Sequence, residues 1–77
     1  MKKYLKYKNV TFVLFDGMHI HEHMAVALSA EGISPLESAG FVQMMPDGQL
    51  YCVGASESLG LESLPEDTEQ LRAWLRG

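Results

Sequence analysis

The chain has one cysteine, three prolines and one tryptophan in 77 residues, and no apolar run that approaches the length of a membrane span. Each scarcity excludes something. A lone Cys52 rules out an internal disulfide framework and suits a reducing compartment, so a cytoplasmic protein is expected. The lysine-rich start lacks the apolar stretch and small-residue cleavage site of a signal peptide. There is no glycine-rich phosphate loop, CxxC pair or separated carboxylate dyad, and Gly54-Ala55-Ser56-Glu57-Ser58 fails the pattern of a nucleophile elbow. No enzyme is expected, and no cofactor beyond a divalent transition metal considered below.

Cations are scarce outside the first eight residues. Lys2, Lys3, Lys6 and Lys8 are four of the six, which leaves Arg72 and Arg76 against all ten acids and a net charge of −8 over residues 9–77. The body is acidic and carries a basic tag. With 47% hydrophobic residues the chain is a globular candidate, read as one small domain over 1–77. At this length its stability is expected to be modest, roughly 4–11 kcal/mol.

The clearest local signal is Phe41 to Val53, which reads as a β-hairpin. In Met45-Pro46-Asp47-Gly48-Gln49 the proline presets φ, Asp tolerates the second turn position and Gly accepts the positive φ that follows, which is the three-residue loop with a glycine bulge. That loop pairs Met44 with Leu50, Gln43 with Tyr51, Val42 with Cys52 and Phe41 with Val53. One face is then Val42, Met44, Leu50 and Cys52, and the other carries Phe41, Met45, Tyr51 and Val53 beside two glutamines.

The rest of the chain gives an α+β domain in the order β-α-β-β-α. A three-stranded sheet, made of the hairpin over about 39–56 and an N-terminal strand over about 7–15, carries two helices over about 20–31 and 64–75 on one face. The β-branched and aromatic residues of Val10 to Val13 mark the first strand. After it, Asp16-Gly17 could turn a hairpin and make residues 18–22 a strand. The stripe Ile20, Met24, Ala27 and Leu28, closed by Gly32, instead favours a helix begun near Asp16 or His19. Ser34-Pro35-Leu36-Glu37 and Ser63-Leu64-Pro65-Glu66 both match capping boxes, the first for a single turn and the second for the last helix. Leu64, Leu71, Trp74 and Leu75 form that helix's apolar stripe, and residues 54–64 read as a loop with strand four ending near Ser56.

Three groups of residues carry functional hints. His19, His21 and His23, with Glu22 among them, are ligand types for a divalent transition metal; a strand would set all three histidines on one face, whereas a helix leaves only His19 and His23 as neighbours. Lys2, Lys3, Lys6 and Lys8, interleaved with Tyr4, Leu5 and Tyr7, could contact nucleic acid, although lysines on a terminal strand also serve to block edge pairing. Phe41, Met45, Tyr51 and Val53 have no partner if both helices take the other face, and such a patch marks association. Cys52, on the apolar face, reads as an inert buried thiol. The leading expectation is a non-enzymatic protein-interaction module, working as a homodimer or on another protein through the second face or an edge of its sheet. The short acidic chain has the character of small accessory proteins of bacteria and their phages. A metal-binding protein is the first alternative, nucleic-acid contact the second, and no membrane is involved.

Overall fold

The computed structural model describes residues 1–29 and 35–77, the side chains of 26–29 excepted. Its elements are β1 (Lys2–Tyr7), β2 (Phe12–Asp16), α1 (His21–Ser29), β3 (Leu36–Met44), β4 (Leu50–Val53), β5 (Ala55–Ser56), β6 (Leu61–Glu62) and α2 (Asp67–Arg76). The α+β class stands, with four strands in the main sheet where three were expected. They run antiparallel in the order β2-β1-β3-β4, and β5 and β6 form a separate small hairpin in what was read as a loop.

The β3–β4 hairpin has the expected register, Phe41 with Val53 through Met44 with Leu50. Its turn closes with Met45 N–H to the Gln49 carbonyl at 2.9 Å and Gly48 N–H to the Met45 carbonyl at 2.8 Å, and the Asp47 carboxylate accepts from Gln49 N–H. Gly48 sits at φ +81°, the left-handed region where a Cβ is costly.

The same turn occurs a second time, and it corrects the N-terminal strand. Residues 7–15 are not one strand, because the chain reverses at Lys8-Asn9-Val10. Tyr7 N–H donates to the Thr11 carbonyl at 2.9 Å, Val10 N–H to the Tyr7 carbonyl at 2.8 Å, and the Asn9 side chain accepts from Thr11 N–H. The geometry matches the glycine turn position by position, but the left-handed place is held by Val10 at φ 61°. A β-branched residue there is uncommon, so Asn9 alone carried the signature of the turn in composition.

The helices lie on opposite faces of the sheet, not on one. Alternation along β1 sends Tyr4 toward α2, where it packs with Phe12, Val42 and Leu71, while Leu5 and Tyr7 turn to the other side and join Phe15, Ala39 and Ala25 of α1. Leu59 and Leu61 close that second layer. The 18–23 ambiguity resolves as helix from His21, with the Ile20 carbonyl accepting from Met24 N–H and Ser58 Oγ accepting from Glu22 N–H at 3.3 Å. The expected helix stop at Gly32 and cap at Ser34 lie outside the described residues. Leu36 and Glu37 belong to β3 and not to a helical turn, because Leu36 pairs with Tyr7 and Glu37 reaches Lys6.

Candidate functional site

The lysines of β1 show how strongly strand alternation overrides composition. Lys2 pairs with Asp16 at 2.6 Å on the surface. Lys3, on the opposite face, donates to the His19 carbonyl at 2.7 Å and lies over the Phe41 ring. Lys8 is exposed in the turn. Lys6 is completely buried. The four therefore share no surface, and β1 is an interior strand and not a guarded edge.

Lys6 is held at the centre of a polar cluster beneath α2. Its Nζ sits 2.7 Å from Asp67 Oδ1, 2.6 Å from Glu37 Oε1 and 2.8 Å from Gln70 Oε1. Asp67, also fully buried, accepts from the Tyr4 hydroxyl at 2.5 Å and from Leu64 N–H at 3.0 Å. This rearranges the expected capping box. Ser63 donates its hydroxyl to the Tyr4 oxygen at 2.9 Å instead of capping the helix, Glu66 at the N-cap makes no side-chain cap, and Asp67 reaches back to Leu64. Burial disfavours the Asp67 carboxylate, but the Leu64 N–H, Lys6 and Tyr4 outweigh it and lower its pKa. Burial likewise pulls the Lys6 ammonium down, and Asp67 and Glu37 more than restore it, leaving it raised. Tyr4 is raised far above a free phenol, by burial first and then by Asp67. Gly40 makes the cluster possible, since a Cβ there would run into Ser63 Oγ and stand 2.6 Å from the Val53 carbonyl.

His21 is a strut in the second layer. It is 3% exposed, stands edge-on between the rings of Phe15 and Phe41, and donates from Nε2 to the Gly40 carbonyl at 2.8 Å. Burial holds its pKa below the ordinary histidine value. His19, Glu22 and His23 are exposed, and among the described residues no group of three or more His, Cys, Asp or Glu is placed to hold a metal ion. A cleft of about 300 Å³ opens beside His21, between Lys3, Ile20 and the Ala55–Ser58 segment.

The interaction residues read from the hairpin are largely covered. Phe41 lies against His21 and Gly54, Val53 and Tyr51 are half-buried, and Met45 at the turn is 39% exposed. The open second face was expected because both helices were placed on the other side, and α1 with β5–β6 occupies it. On the α2 face Leu50 and Cys52 are covered as expected, but Met44 is 65% exposed. Burial, with the Asp67 charge, pushes the Cys52 thiol up to about 11.

The two edges of the sheet differ. In both hairpins the bond that closes the turn fixes which peptide groups point inward, because hydrogen-bonded and non-hydrogen-bonded pairs alternate along an antiparallel ladder. For β4 this turns Leu50 and Cys52 outward, and α2 meets both. Cys52 N–H donates to Thr68 Oγ1 at 2.9 Å, and Arg72 Nε donates to the Leu50 carbonyl at 3.0 Å while its guanidinium lies over the Tyr51 ring. For β2 the same rule turns Phe12, Leu14 and Asp16 outward. Among the described residues the Asp16 carbonyl receives His19 N–H, and no hydrogen bond reaches the outer groups of Phe12 or Leu14. Beside this edge lie the half-open side chains Val10, Leu14 and Trp74, the last against Phe12. Sequence reasoning passed over this edge; the sign was a run of β-formers, Thr11 to Phe15, without lysine or proline. In comparison with known proteins, the chain matches no family model, no curated protein and no solved structure.

Proposed function

We propose that the chain is a small non-enzymatic protein-interaction module that works by associating with a second copy through the β2 edge of its sheet. The observation that carries this is the asymmetry of the edges. Thr68 and Arg72 occupy the outer groups of β4, whereas the outward groups of Phe12 and Leu14 on β2 have no partner among the described residues and stand beside exposed Leu14 and Trp74. Unpaired strand edges are templates for further pairing, the one charge on this edge, Asp16, is taken by Lys2 at 2.6 Å, and a domain of this size gains stability by extending its sheet.

Sedimentation equilibrium of the wild type and of Leu14→Lys tests the proposal. A wild-type dimer that becomes monomeric in Leu14→Lys, with the circular dichroism unchanged, is the expected result. A wild type that stays monomeric up to about 100 μM refutes it, since that limit leaves an association too weak to work as a stable module.

A further inference from the structure

We infer that the second copy docks antiparallel with the two-fold axis at Leu14, so that two four-stranded sheets become one continuous sheet and Trp74 lies over the junction. The inference rests on the proposed edge association and adds its register.

The outward groups of β2 belong to Phe12, Leu14 and Asp16, which are evenly spaced about Leu14. An antiparallel copy centred there meets Leu14 with Leu14, Phe12 with Asp16 and Asp16 with Phe12, so every outward N–H faces an outward carbonyl. The Asp16 carbonyl already accepts from His19 N–H and has a second lone pair for the new bond. A register moved by one residue along the edge would set inward-turned groups against outward ones.

Charge selects the same arrangement. Asp16 is the only ionisable residue of β2, and exposed Lys8 lies in the turn at the opposite end of the strand. Antiparallel pairing brings the Asp16 end of each copy to the Lys8 end of the other. Parallel pairing would stack Asp16 on Asp16, a like-charge cost that the Lys2–Asp16 ion pair of each copy reduces without removing. A two-fold axis perpendicular to the sheet also keeps both α2 helices on one face. Leu14 and Phe12 share that face with Tyr4, and Trp74 of α2 packs on Phe12 with ring centroids 5.9 Å apart. The 43% of Trp74 that is open in one copy then borders the junction.

The experiment uses Leu14→Cys and Met18→Cys, each in a Cys52→Ser background, with a short bis-maleimide and with light scattering on the same samples. At the proposed register the two Leu14 positions are about 5.5 Å apart, whereas Met18, the more exposed residue, lies in the turn beyond Asp16, whose two copies are already about 14 Å apart. Cross-linking about tenfold faster at position 14 than at position 18 is expected, with the emission of Trp74, the only tryptophan, moving to shorter wavelength as concentration rises. A dimer by light scattering that fails to cross-link at position 14, or cross-links faster at 18, overturns this register and leaves the edge association standing. A monomer at all concentrations overturns both.

Discussion

Replacing Lys6 by methionine is the most direct test of how α2 is held. The methionine chain reproduces most of the lysine's length and removes only the ammonium. Asp67 would then be a fully buried carboxylate whose remaining donors are Tyr4 and Leu64 N–H. Breaking a buried ion pair from one side costs about 3–5 kcal/mol, because the surviving charge is neither solvated nor neutralised. Glu37 also loses its partner, but its side chain is one-third exposed and water compensates it. Against a total of roughly 4–11 kcal/mol, that loss removes from about a quarter to all of the stability. The discriminating measurement is a double-mutant cycle with Asp67→Asn, followed by urea denaturation and circular dichroism. The amide keeps an acceptor for Tyr4 and Leu64 while discarding the charge, so Lys6→Met with Asp67→Asn is expected to recover about 2 kcal/mol of the loss seen in Lys6→Met alone. If Lys6→Met costs less than about 1 kcal/mol, or if the double variant is no more stable than the single one, the pair does not hold the helix in the way described.

Further tests address the turns, the close approach at Gly40, the histidine and the guarded edge. Val10→Gly is expected to raise stability by about 1 kcal/mol, since Val10 holds at φ 61° the position that glycine fills in the matching turn; a loss in thermal denaturation would contradict the strain argument. Gly40→Ala is expected to cost about 2 kcal/mol or more, because the new methyl meets the Val53 carbonyl and Ser63; an unchanged midpoint would mean the approach relaxes freely. Because the folded His21 pKa is lowered, the unfolded chain takes up the proton first as pH falls below 6.5, so stability declines from there toward the folded value. His21→Gln should flatten that part of the pH–stability profile, and an identical slope in both proteins would assign it to other groups. Thr68→Val leaves the Cys52 N–H without its acceptor and should cost about 1 kcal/mol, visible as faster hydrogen exchange at Cys52.

Local chemistry was enough for the features whose causes are local. The hairpin register followed from Pro46, Asp47 and Gly48, because those residues specify a turn without reference to anything distant. Helix α2 was legible from its acidic start and basic end, and α1 was legible as a helix, although Ile20 of the expected stripe lies before it and is exposed and the buried residues among its described side chains are His21 and Ala25. Where a residue departs from the usual occupant, the signal weakens. Val10 in a glycine position hid the first turn, and with it the fourth strand and the interior place of β1.

The remaining features were decided by pairings between residues far apart in the chain. A lysine in a basic tag reads as solvated, and only the arrival of Asp67, Glu37 and Gln70 makes its burial tolerable. Nothing near Lys6 in sequence announces those partners. Which face each helix covers likewise depends on which strands are neighbours, because alternation defines two faces without saying what lies on either. The edges follow from the same strand order. β4 is closed by two residues of α2, while on β2 the outer groups of Phe12 and Leu14 have no partner among the described residues. Side-chain alternation, turn chemistry and helix ends are properties of a few consecutive residues, whereas burial of a charge and exposure of an edge belong to the assembled sheet.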